Sequence, residues 1–228
     1  MRILRKGGQF ADGRIQLLGA RSLLLFVAML LGLAVGFIFK WPRGGFLLGC
    51  VAVPLFKANV KRWGNWVVGK RGESAVTDIL KSLSDDYVLL NDLTLAEGKG
   101  NVDHFLIGPS GLFVIETKNY SGNVRCDGDQ WFVNGRRIKS LSRQAIGNAA
   151  TVRHSLASLF SAGQKPPLIT ALLVFVKHKG NLILNQPALP VLKAEELLAF
   201  IQNHNGLIFI SGTQAHAIVR HLQSLQPL

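Results

Sequence analysis

Acidic residues are scarce in this chain. Thirteen Asp and Glu stand against 26 Lys and Arg, a formal net charge of +13 over 228 residues. The excess is shared: residues 1–56 carry +6 and residues 57–228 carry +7. Such a surface suits a polyanion such as nucleic acid, or an anionic lipid surface, and serves solubility and anchoring otherwise. Cysteine is almost absent. Cys50 lies in an apolar run and Cys126 in an expected turn, so the two form neither a disulfide framework nor a zinc site, in keeping with a reducing compartment. No G-x-S-x-G, P-loop or dinucleotide fingerprint occurs, which leaves serine hydrolysis and those nucleotide-binding modes without support. There are no repeats and no low-complexity tract.

Apolar residues, by contrast, are abundant, at 48% of the chain with a mean hydropathy of +0.27. This is high for a soluble protein and points to a membrane segment. Residues 22–39, SLLLFVAMLLGLAVGFIF, carry no charge between Arg21 and Lys40. At about 1.5 Å per residue they nearly match a hydrocarbon core of about 30 Å. No A-x-A-like cleavage site follows, so the segment reads as an anchor, with Trp41 as an interfacial aromatic. A second run, residues 44–56, GGFLLGCVAVPLF, is shorter and contains Pro54. If both runs cross, the basic flanks (Arg2, Arg5, Lys6, Arg14 and Arg21 before, Lys57, Lys61 and Arg62 after) share one side, and only Lys40 and Arg43 occupy the far loop. That helical hairpin, with both ends cytoplasmic, satisfies the positive-inside tendency better than a single span followed by an amphipathic surface stretch. The expected organisation is a basic segment (1–21), a membrane anchor (22–56), a linker (57–65) and one globular domain (66–228), long enough for its own core.

Within the domain, Val76, Leu80 and Leu83 recur at helical spacing over residues 70–83, and Glu73 shares their face. There it stands at a core rim or points into a site, and it also favours the helix dipole as a first-turn acid. Strands are expected at 87–95, in two runs around a turn within 102–122, near Val124, and at 131–133, 136–138, 168–176, 182–184 and 207–210. Helices are expected at 141–160, 194–203 and 214–225. Asp127-Gly128 and Asn134-Gly135 mark turns. The order predicts an α/β or α+β domain, a mixed central sheet flanked by helices, preceded by one or two membrane helices.

The stretch VDHFLIGPSGLFVIETKNYSG, residues 102–122, places acid in otherwise apolar strands. A loop over Gly108-Pro109-Ser110-Gly111 closing on Ile107 and Leu112 sets Asp103 opposite Glu116. Alternation then puts Asp103, Phe105, Ile107, Leu112, Val114, Glu116 and Lys118 on one face, with Val102, His104, Leu106, Phe113, Ile115 and Thr117 on the other. Two carboxylates with Cβ atoms about 5 Å apart repel in a low dielectric. Lys118 offsets one charge; a divalent cation holds both, and Mg²⁺ favours a few carboxylates with water and phosphate. The spacing D-x12-E-x-K therefore reads as a metal site beside a lysine, or as a strand-end salt bridge between Glu116 and Lys118.

GESAV at 72–76, the stretch 102–122, Trp131 and LSRQA at 141–145 together resemble the nuclease-related domain (NERD) family of the PD-(D/E)xK nuclease-like superfamily, over about residues 66–165. The resemblance implies a restriction-endonuclease-like fold. It implies that Asp103 and Glu116, with the Thr117 carbonyl, ligate Mg²⁺ or Mn²⁺, and that Lys118 orients the attacking water and stabilises developing phosphate charge. Glu73 would complete the acidic site directly or through water, and Gln144 would contact its outer shell or the nucleic-acid backbone. Val102 stands where the superfamily's name places proline. The expected function is a membrane-tethered, metal-dependent nuclease acting on nucleic acid, DNA ahead of RNA, on the cytoplasmic side of a cell inner membrane. The alternatives are a non-catalytic nucleic-acid-binding or scaffold module and, further off, an anionic-lipid binder. Arg125, Arg136, Arg137, Lys139 and Arg143 form either a phosphate-tracking ridge or a charged hairpin edge. His104 reads as structural, and His216 and His221 as solvent-facing; His154, His178 and His204 have no sequence partners.

Overall fold

The computed structural model of the chain describes residues 1–5, 7–38, 42–94, 101–160, 166–176, 180–205 and 212–225, with side chains described for all of these except 42–50. The expected strand at 207–210, Trp41, His178 and most of the 97–101 loop lie outside the described residues. The chain divides into two compact units, Gln9–Arg71 and Met1–Gly8 with Gly72–Leu228.

The first unit is a pair of helices, α1 (Gln9–Ile38) and the leading part of α2 (Pro42–Leu80). They lie antiparallel. The Asn59 amide donates to the Leu18 carbonyl and the Ser22 hydroxyl, each at 2.8 Å, Lys70 pairs with Asp12, Phe10 meets Trp66 edge-on at 5.8 Å, and Phe26 lies 6.1 Å from Phe56. Among the described residues one helix, α1, is long and apolar enough to cross a membrane. Residues 57–65, expected as a linker, are helical, because α2 runs through them and through the expected start at Lys70. Pro54 is accommodated inside the helix.

The second unit is built on a six-stranded mixed sheet, order β1-β2-β3-β4-β8-β10, and a separate four-stranded sheet, order β7-β6-β5-β9, where the sequence suggested one sheet. The strands are β1 (Arg2–Arg5), β2 (Val88–Thr94), β3 (Asn101–Gly108), β4 (Gly111–Lys118), β5 (Val124–Asp127), β6 (Gln130–Val133), β7 (Arg136–Ile138), β8 (Ile169–Phe175), β9 (Leu182–Asn185) and β10 (Val191–Lys193); the helices are α3 (Leu141–Ser155), α4 (Leu197–Asn203) and α5 (Gly212–Ser224). β1, read from sequence as part of a basic tail, and β10, a three-residue strand after Pro190, were not expected; both are too short for a period to show. The helix expected to reach residue 160 ends at Ser155 and continues as a 3-10 turn.

One face of the main sheet packs Phe105, Ile107, Leu112 and Val114 against Ala149 and Val152 of α3 and Ile218 and Leu222 of α5. The other packs Leu106, Phe113 and Ile115 against Val76 and Leu80 of α2 and Leu197 and Ile201 of α4. Burial on both faces explains why β3, β4 and β8 read as nearly unbroken apolar runs. Val102, expected with His104, joins the α3-side core. The pairing skips Asp92 between Asn91↔His104 and Leu93↔Val102, and Asp92 has φ 61°, a left-handed kink that disturbs the alternation locally. Cys126, expected in a turn, is buried in β5; the turn residues are Gly128 and Asp129, because Asp127 still pairs with Gln130.

The β3–β4 ladder has the expected register, His104↔Ile115 through Ile107↔Leu112, and extends one pair further to Gly108↔Gly111. The loop is therefore Pro109-Ser110, with Gly111 at φ 134°. The Tyr87 ring covers it, its hydroxyl 2.9 Å from Ser110 Oγ. A Cβ on Gly108 would stand 2.1 Å from Tyr87 Cδ1. Gly108→Ala is predicted to destabilise the protein by about 1–3 kcal/mol, the usual cost of overpacking, read as a lower urea midpoint. An unchanged midpoint would show that the Tyr87 ring moves aside freely.

Candidate active site

Glu116 enters the site because β4 is a central strand that pairs with β3 on one side and β8 on the other, so its side chain stands against α3 with nearly no solvent, 2% exposed. A carboxylate this deep must be fully hydrogen-bonded. Lys118 Nζ donates to its Oε1 at 2.6 Å, Gln144 Nε2 donates to the same oxygen at 2.5 Å, and Asn148 Nδ2 donates to Oε2 at 3.2 Å. Gln144 Oε1 in turn accepts from Lys118 Nζ at 3.2 Å. α3 supplies both amides because Gln144 and Asn148 are four residues apart and share a helix face. Its start is fixed by the Ser140 side chain, which accepts from the Arg143 N–H, and by the Trp131 indole, which donates to buried Ser142 at 2.9 Å.

Asp103 lies one residue beyond the last pair of the ladder, His104↔Ile115, where the register brings it toward Glu116. Its Oδ2 accepts from the Thr117 backbone N–H at 2.8 Å. Burial raises its carboxyl well above the ordinary carboxylate range, and the charges of Glu116 and then Glu73 push the same way against the smaller opposing effects of Lys118 and the Thr117 hydrogen bond. Burial likewise raises Glu116, countered by Lys118 and Asn148. Lys118 is held above its usual range: burial works against its charge, but the two carboxylates outweigh it. The structure thus brings Asp103, Glu116, Thr117, Lys118 and Gln144 together. Glu73, partly buried on α2, lies near enough for its charge to reach Asp103. Gly72 beside it packs on Thr117, a Cβ there meeting Thr117 Cγ2 at 3.3 Å.

His104 takes the other side of the hairpin. Its Nδ1 lies 2.7 Å from Asn91 Oδ1 and its Nε2 3.2 Å from Thr117 Oγ1. An amide oxygen only accepts, so Nδ1 carries the proton and Nε2 receives the Thr117 hydroxyl. Burial takes its pKa down to about 3, so it stays neutral. Asn91 Nδ2 continues the chain to the Arg5 carbonyl at 3.2 Å, linking β4 to β1 across the sheet. His221 is partly buried, its Nε2 2.7 Å from the Ser155 carbonyl, while His216 is exposed; His204 packs on Phe113 and Phe200.

Asn148 is the residue that sequence reasoning missed. Its position four after Gln144 was the available signal, obscured because a lone Asn in a helix has many other readings. The candidate donors are all oxygens, two carboxylates and the neutral Thr117 carbonyl, the chemistry of a hard divalent cation. Among the described residues no group of three or more His, Cys, Asp or Glu is close enough to hold a metal, so the carboxylate pair would be its protein core.

A mixed sheet flanked by helices, with two acids and a lysine on its central hairpin, defines an α/β domain of nuclease-like type. Residues 68–176 match the family model described as the nuclease-related domain, NERD. An uncharacterized protein of Bacillus anthracis is 36% identical over 80 residues, covering 33% of this chain and 37% of that protein. The chain therefore spans little more than a third of the length of that curated relative. No solved structure matches.

The raised carboxyls carry a pH consequence. A carboxyl whose folded pKa is raised contributes stability fully present below its unfolded pKa and lost as pH rises through the folded value. In metal-free buffer, Asp103→Asn, which keeps an oxygen for the Thr117 N–H, is predicted to be more stable than wild type at pH 7–8. The gap should close as the pH falls below about 3, where Asp103 is protonated in both states. Denaturant unfolding across that range measures it. A variant less stable at neutral pH would show that the Asp103 charge is stabilising.

Proposed function

We propose that this protein is a membrane-anchored, divalent-metal-dependent nuclease that hydrolyses phosphodiester bonds, in DNA ahead of RNA. The observation that supports this best is the buried pairing of Glu116 with Lys118 at 2.6 Å beside the raised carboxyl of Asp103. That arrangement is costly for a merely structural salt bridge and suits a centre that must hold positive charge against a phosphate. Asp103 and Glu116, with the Thr117 carbonyl, would hold Mg²⁺ or Mn²⁺. The bound cation supplies charge neutralisation at the phosphate and a lowered pKa for water. Lys118 orients the attacking water and stabilises charge developing on the phosphate oxygens. Gln144 positions both Lys118 and Glu116, and Glu73 acts through water.

Substrate strands would be drawn by the basic residues after the site. Arg125 pairs with Asp127 at 3.0 Å and Arg143 with Asp129 at 2.5 Å. Arg136, Arg137 and Lys139 are exposed, and Arg137, Lys139 and Arg143 line a groove of about 640 Å³. We read α1 as a membrane anchor, with the domain on the cytoplasmic face of a cell inner membrane. A second reading, a non-catalytic nucleic-acid-binding or scaffold module, draws on one feature: Lys118, Gln144 and Asn148 occupy both oxygens of Glu116.

The test is cleavage of labelled DNA and RNA by the full chain with Mn²⁺ or Mg²⁺. Glu116→Gln and Lys118→Ala should each lower the rate by about a hundredfold or more, and a chelator should abolish it. Salt-sensitive binding without cleavage at any metal concentration would favour the scaffold reading.

A further inference from the structure

The antiparallel contacts of the first unit bring four cations to one level of the helix pair. Asn59 grips Leu18 and Ser22 of α1, and Arg21 lies between those two. Lys57, Lys61 and Arg62 lie within three residues of Asn59 on α2, about 5 Å or less along the axis. All four are exposed, and among the described residues none of them is in an ion pair. Trp63, 39% exposed, belongs to the same level; a Cβ on Gly19 would lie 3.7 Å from its indole nitrogen. The one acid of this unit, Asp12, is spent on Lys70.

On one side of this level the sequence is free of charge, between Arg21 and Lys40 and between Arg43 and Lys57. That side exposes Leu24, Leu31, Phe37 and Ile38 of α1 and Val51 and Leu55 of α2. On the other side stand Asp12, Arg14, Lys70 and Arg71. An uncharged apolar pair of helices bounded by a level of exposed cations and a tryptophan has the profile of a membrane interface.

We propose that Arg21, Lys57, Lys61 and Arg62 form a collar that binds the phosphates of anionic phospholipid headgroups, with the apolar ends of α1 and α2 inserted in the bilayer as a hairpin. Nucleic acid is the less fitting occupant, because the collar adjoins an apolar surface that a polyanion would leave bare. The proposal rests on the anchor reading above and is independent of nuclease activity.

The test uses the full chain in phosphatidylcholine nanodiscs, with and without phosphatidylglycerol, and counts the lipid retained per protein after detergent exchange. The wild type should retain phosphatidylglycerol preferentially, and added salt should erode the preference. Replacing all four cations (Arg21→Gln, Lys57→Gln, Lys61→Gln, Arg62→Gln) should reduce it about tenfold or more. Equal retention in wild type and variant, no salt effect in the wild type, or displacement of the lipid by an oligonucleotide would each overturn the collar. Carbonate extraction of the wild type from vesicles reads the anchor separately. Resistance without lipid preference refutes the collar alone; extraction refutes the anchor and the collar with it.

Discussion

Two carboxylates held side by side inside a sheet set the terms for this domain. Each loses hydration, and the Glu116 charge raises the Asp103 carboxyl further; Glu116 is shut off from solvent and Asp103 is half-buried. The surrounding structure compensates with one ammonium, two side-chain amides and one backbone N–H. Those partners come from β4 itself and from α3, which its apolar residues Ala149 and Val152 dock against the same sheet face. A buried ion pair of this kind contributes little net stability. Such a pair fits a site that uses its charges rather than one that stabilises the fold.

The hairpin was legible because its register depends on one turn, and Gly108-Pro109-Ser110-Gly111 has few alternatives. From that register the proximity of Asp103, Glu116 and Lys118 followed. The role of Gln144 did not, since a helical wheel alone puts it at the flank of the apolar stripe; only the docking of α3 against β4 turns it toward Glu116 and Lys118. Asn148 and Asn91 were invisible for a related reason. A single amide has no periodicity, and its partner is chosen by tertiary packing. Val102 was misplaced because the kink at Asp92 interrupts an alternation that sequence reading assumes to be regular. The second sheet was hidden because strands of three or four residues cannot declare which neighbours they join.

The polar chain from Thr117 through His104 and Asn91 to Arg5 gives the site a second anchor, on the face opposite α3. It explains a histidine beside the acids without assigning it chemistry: buried, doubly bonded and neutral, it fixes the Thr117 side chain and so the strand that carries Glu116 and Lys118. The site is thereby gripped from both faces of the sheet. Such rigidity is what charge stabilisation at a phosphate requires.

The central claim is that the buried acids form a metal site. Calorimetric titration of Mn²⁺ into the full chain, wild type beside Asp103→Asn and with and without oligonucleotide, tests it most directly. The account predicts saturable binding in the wild type that the variant loses. Absence of binding in the wild type, with oligonucleotide present as well, would contradict it and leave the pair as an internal salt bridge on a nuclease-like fold.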